Sequence, residues 1–136
     1  MRKPQLLLIG SLLLGACSPD PADATPIGVE LDNDRVTLNE LEVATGPVLF
    51  EVKNVSVDLV HEIEVFSNAT EGALLPVVNT VADTSGLTLL DEVEDVVPGS
   101  SASLAVNLEP GTYLIICNLP EHYDSGMWAY LTVTGN

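Results

Sequence analysis

Residues 110–133 read PGTYLIICNLPEHYDSGMWAYLTV. After a Pro-Gly turn, Tyr113, Ile115 and Cys117 alternate with Leu114 and Ile116, the period of a β-strand. A second strand begins at Met127 and puts Met127, Ala129, Leu131 and Val133 on one face. Between the two strands Cys117, His122 and Met127 stand at even spacing, with four residues separating each pair. This spacing predicts a loop clamped between neighbouring strands and carrying all three side chains. A thiolate, an imidazole and a thioether together form a copper-type ligand set.

The chain on either side supplies the remaining strands. Ala102, Leu104, Val106 and Leu108 alternate with small or polar residues, and Val48, Phe50 and Val52 alternate with Leu49, Glu51 and Lys53. Val29 and Leu31 alternate with Glu30 and Asp32 before an Asn33-Asp34 turn, and residues 36–43 predict one further short strand. In VHEIEVF, residues 60–66, His61 shares a face with Ile63 and Val65, while Glu62 and Glu64 share the other. Residues 67–99 show no clear period and read as a long excursion between sheets, with short elements around 69–75 and 87–93. Six to eight short strands without a long helical period predict an all-β fold, an antiparallel Greek-key β-sandwich.

At 136 residues, 46% of them hydrophobic, the chain suffices for one such domain. Its 20 acids against 4 bases give a formal net charge of −16, and from Cys17 onward only Arg35 and Lys53 oppose the acids. Such a surface repels phosphate backbones, which excludes nucleic acid as a partner. The scattered acids mainly confer solubility, and they also suit steering toward a basic partner.

Arg2 and Lys3, an apolar run from Leu6 to Leu14 and the ending Leu14-Gly15-Ala16-Cys17 have the form of a secretory signal too short to span a bilayer. That ending resembles the lipobox of bacterial lipoproteins, which implies removal of residues 1–16 and a lipid on Cys17. The Pro-, Asp- and Ala-rich residues 17–26 then read as a flexible tether, and 27–136 as the domain. Lipidation of Cys17 would leave Cys117 as the sole thiol, with no disulfide open to it and a metal as its natural occupant.

The candidate metal ligands are thus His61, Cys117, His122 and Met127, the only histidines, the remaining thiol and the only methionine besides Met1. Taken singly, a core-facing histidine, a buried cysteine and a strand methionine are ordinary packing residues. Their joint order makes a shared metal the better reading. Zinc would want a fourth strong ligand in place of a thioether, so the methionine favours copper.

Residues 111–127, from Gly111 through Tyr113, Cys117, Pro120 and His122 to Met127, resemble the type 1 copper signature of the cupredoxin family, which includes plastocyanin, auracyanin, rusticyanin and sulfocyanin. The equal gaps around His122 are more similar to the rusticyanin, auracyanin and sulfocyanin loop than to the shorter plastocyanin one. FEVKNVSVDLVHEIEVF resembles the family's first-histidine strand, with Asn54 and His61 suitably separated. The resemblance implies one type 1 copper ion, with Cys117, His61 and His122 in a trigonal plane and Met127 axial. It also implies an electron port at His122, flanked by Leu119, Pro120 and Tyr123, where redox protein partners dock. Two positions depart from the family pattern: Glu62 follows the first histidine where Asn is common, and Glu121 stands where many relatives have Gly.

The expected protein is therefore a monomeric, lipid-anchored blue copper protein on the extracytoplasmic, periplasmic side of the cell envelope, carrying single electrons between redox partners. It is not expected to be an enzyme, because no histidine remains for a catalytic copper. A copper storage or delivery protein is the alternative, and a metal-free accessory lipoprotein a third.

Overall fold

The computed structural model describes residues 19–135. The signal segment and Cys17 lie outside the described residues. Asp20 caps a short 3-10 helix over Pro21–Asp23, and the first strand, β1, runs from Thr25 to Leu31. It is followed by β2 (Val36–Leu38), β3 (Glu42–Ala44), β4 (Gly46–Asn54) and β5 (His61–Ser67). A small hairpin of β6 (Val77–Val78) and β7 (Val81–Ala82) precedes β8 (Thr88–Val96) and β9 (Ser101–Leu108). The chain ends with β10 (Gly111–Ile116), one turn of helix α1 (His122–Ser125) and β11 (Trp128–Thr134).

Two sheets form the expected sandwich, one in the order β2-β1-β4-β9 and the other β3-β11-β10-β5-β8. The sheets are mixed rather than wholly antiparallel, since β1 pairs parallel with β4 and β3 parallel with β11. The single strand expected over residues 36–43 is instead two, β2 in one sheet and β3 in the other. The break falls at Asn39, whose side-chain oxygen accepts the Gly28 N–H at 2.8 Å. Farther on, the Leu41 carbonyl takes the Thr132 N–H of the opposite sheet. A chain that changes sheets must leave one ladder before it joins the next.

Period-two burial follows the sequence in β1 and β4, where Ile27, Val29, Leu31, Val48 and Phe50 are fully enclosed. Burial of each such side chain contributes about 1.5–3 kcal/mol. In β10 the alternation gives way, because Tyr113 through Ile116 are all buried. Tyr113 and Ile115 face the main core between the sheets. Leu114 and Ile116 face a smaller second core, with Phe66, Ala82 and Tyr123, roofed by the excursion after β5. The excursion is therefore a cover, and the continuous apolar run YLII is a strand buried on both faces.

Register fixes one end of the sandwich as the site. Leu31 pairs with Asn54 and His61 with Val96, so the ends of β1, β4 and β8 meet the start of β5. The Ile116–Trp128 pair closes β10 and β11 at that same end.

Candidate metal centre

His61 opens β5 and is fully buried on the face it shares with Ile63 and Val65, as the alternation predicts. Cys117 follows directly on β10, also at 0% exposure, and its N–H donates to the Met127 carbonyl at 3.0 Å. The segment between them in the loop is not simply irregular. The strand ends at Ile116, Pro120 stands in a turn, Glu121 takes a left-handed conformation at φ 71°, and His122–Ser125 forms a helical turn ended by Gly126. Glu121 thus adopts a backbone that glycine would reach without strain. The turn brings His122 back beside Cys117, and the His122 carbonyl receives the Met127 N–H.

Three donor atoms converge as a result. Cys117 Sγ lies 3.2 Å from His122 Nδ1 and 3.8 Å from His61 Nδ1, and the two Nδ1 atoms are 3.2 Å apart. A triangle with sides of 3.2, 3.2 and 3.8 Å has its centre about 2.0 Å from each corner. That distance matches metal–nitrogen bonds of roughly 2.0–2.1 Å and is slightly short of metal–thiolate bonds near 2.3 Å. Lone pairs this close repel unless a proton or a cation lies among them. Met127 is fully buried and packs in the same core cluster as Cys117. Residues and geometry fit one type 1 copper ion.

Electrostatics of the metal-free site keep it neutral. Burial pushes the Cys117 thiol up to about 11, reinforced by the carboxylates of Glu62 and Glu64 and opposed by the Glu62 and Leu119 amides. The Glu62 N–H points at the sulfur from 3.5 Å. Burial also lowers both histidines, and His61 is lowered further by its neighbour His122. Cation binding must therefore release the thiol proton.

Asn54 holds the approach to His61. Its amide nitrogen donates to the carbonyls of Leu59 and Val96, each at 2.7 Å, and its oxygen accepts from the Ser56 N–H and hydroxyl at 2.9 and 2.6 Å. The sequence did carry a signal for this role: Asn54 continues the alternation of Val48, Phe50 and Val52 and so occupies a core position. A buried amide there must be fully hydrogen-bonded. Tyr123, expected beside the port at His122, instead lies 3% exposed in the second core, and its hydroxyl accepts the Leu75 N–H at 2.9 Å. Leu119 and His122 are half-buried and Pro120 is exposed.

The structure is a β-sandwich with a His-Cys-His cluster at one end, two of its members fully buried and His122 half-buried. The cupredoxin-like domain matches residues 5–128, and the chain belongs to that family. Among solved structures, auracyanin from Roseiflexus castenholzii is 24% identical, with a TM-score of 0.60 over 82% of this chain and 98% of its own. Rusticyanin from Thiobacillus ferrooxidans is 14% identical, with a TM-score of 0.60 over 80% of this chain and 76% of its own. A multi-copper oxidase from Pediococcus acidilactici is 19% identical at a TM-score of 0.57, over 98% of this chain but only 31% of its own. At these identities the likeness concerns the fold. No curated protein matches the sequence. Blue copper members of the family carry electrons and are not enzymes, although cupredoxin-like domains also occur within oxidases.

Proposed function

We propose that this protein carries single electrons on one copper ion that Cys117, His61 and His122 would hold, with Met127 supplying a weaker thioether donor. The observation that carries the reading is the three-donor triangle, sized for one ion and enclosed except on the His122 side. Bound there, copper supplies a one-electron couple between Cu(I) and Cu(II). Thiolate and thioether favour the reduced ion and imidazoles the oxidised one, so a mixed set held rigidly moves little between states. Burial of His61, Cys117 and Met127 excludes water from the site. His122, half-buried beside exposed Pro120, gives the shortest way out, and redox partners dock there.

A storage or delivery role is less well supported. Carriers that exchange ions use open sites rich in Met or His, whereas this chain has two of each and encloses the cluster. The absence of further histidines also leaves no ligands for a second, catalytic copper.

Copper-loaded protein is expected to show an intense thiolate-to-copper absorption in the red. Met127→Leu should keep that band and raise the reduction potential, because a donor to the oxidised ion is lost. A missing band in the native protein, or a lowered potential in the variant, would contradict the assignment.

The anchor is proposed to be a lipid on Cys17, supported by the LGAC ending of an apolar leader. It places the domain on the outer side of a membrane in the cell envelope. No helix among the described residues is long and apolar enough to cross a membrane. Cys17→Ala should release the protein into the soluble fraction with copper binding intact; persistent membrane association would refute the anchor.

A further inference from the structure

The cover over the second core returns to the ligand loop at the β6–β7 hairpin and is bonded to it at two points. The Thr80 carbonyl accepts the Glu121 N–H at 2.8 Å. Two residues on, the Ala82 N–H donates to Asn118 Oδ1 at 2.7 Å, and Asn118 Nδ2 donates to the Ala82 carbonyl at 3.3 Å. Asn118 follows Cys117 and Glu121 precedes His122, so both attachments lie on the short stretch between the two candidate ligands, one next to each. The Leu75 amide, bonded to the Tyr123 hydroxyl, adds a third attachment just beyond His122.

Backbone strain is concentrated at this junction. Thr80 sits at φ 72° and Asn79 at φ 50°, while Glu121, bonded to Thr80, sits at φ 71°. Asn tolerates the left-handed region, but a β-branched Thr and a Glu do so at about 1–3 kcal/mol each. Such residues persist only where their surroundings hold them. The hairpin itself adds little to the main core: its strands are two residues each, and Val77 and Val78 are 40% and 51% exposed. Beyond its own pairing, its bonds at Thr80 and Ala82 go to the loop.

We propose that the Val77–Ala82 hairpin clamps the copper loop and that Asn118 is a positioning residue, fixing Cys117 and His122 through its paired bonds to Ala82. The proposal rests on the electron-carrier reading above and extends it. Groups that hold a ligand in place from outside the coordination sphere affect metal retention as well as redox balance.

Asn118→Ala removes both side-chain bonds without altering a donor atom. In metal-free protein the Ala82 amide should exchange its hydrogen faster, while the fold and the main-core amides remain as in the native chain. In copper-loaded protein, transfer of the ion to a chelator should be roughly 10–100-fold faster. The reduction potential should fall, because a loosened loop lets the site relax toward the geometry of the oxidised ion. Thr80→Pro attacks the clamp from the other side, since proline cannot reach φ 72°. It should shift release and potential in the same directions. Blue Asn118→Ala protein with native release rate and potential would overturn the clamp. A native protein lacking the thiolate-to-copper band would instead overturn the copper reading on which it rests.

Discussion

At the scale of single residues, the loop that bears Cys117 and His122 depends on a glycine that has no side chain to offer a metal. Gly126 ends the helical turn at φ 118°, and a Cβ built there would lie 2.9 Å from the Asp34 carbonyl oxygen. Both the dihedral and the contact are unfavourable to any other residue, and the opposing atom is backbone that cannot swing aside. Gly126→Ala is expected to destabilise the metal-free fold by about 1–3 kcal/mol. Denaturant titration measures it; an unchanged midpoint would show that the loop relaxes freely. The convergence of His61, Cys117 and His122 was legible in the chain because their chemistry, with Met127, is unusual in combination. Asn54 was legible only in part: its place in the strand's alternation is visible, but its four bonds go to Ser56, Leu59 and Val96, the last far along the sequence.

At the scale of elements, β5 and β8 bring like charges together. Glu64 faces Glu92 across the ladder, and one of its carboxylate oxygens is buried without a partner. Burial first, then the charges of Glu62, Glu92 and Glu94, raise its carboxyl from 4.5 to about 7. Between those two values the folded chain keeps a proton that the unfolded chain has lost. Folding is thus favoured at the lower pH, and stability declines as pH rises from about 4.5 to about 7 before levelling. Glu64→Gln should remove this component, stabilising the metal-free protein at pH 8 more than at pH 5 in paired denaturation curves. An equal effect at both pH values would place the charge strain elsewhere. The same strand shows why part of the architecture escaped the sequence. Nearly all of β8 is exposed at a sheet edge, where Asp91, Glu92, Glu94 and Asp95 discourage further strand pairing and erase the apolar period. The cover over the second core was equally hidden, because the tyrosines that fasten it, Tyr123 and Tyr130, come much later in the chain. By contrast β4, β5 and β9 were legible, since each has one face in the main core and the other outside it.

At the scale of the molecule, charge and fold act separately. The sandwich arises from its two apolar inner faces, while the net charge of −16 governs encounters. Electron exchange with a small cationic redox reagent should outpace exchange with an anionic one of equal driving force. The difference should shrink as salt is raised toward about 0.15 M and beyond, where the screening length falls to roughly 8 Å or less. Rates insensitive to salt would mean that the acids lie away from the path of approach.

The direction of β1 decides how such encounters are presented. This strand enters the sandwich at Thr25 and reaches the ligand end only at Leu31, about 20 Å later at 3.3 Å per residue. The last strand runs back the other way, from Trp128 beside the ligands to Thr134. Both described chain ends therefore emerge at the pole opposite the cluster. If the proposed lipid on Cys17 tethers the chain, it would hold the molecule by its heel and leave the pole that bears the His-Cys-His cluster free to sweep outward.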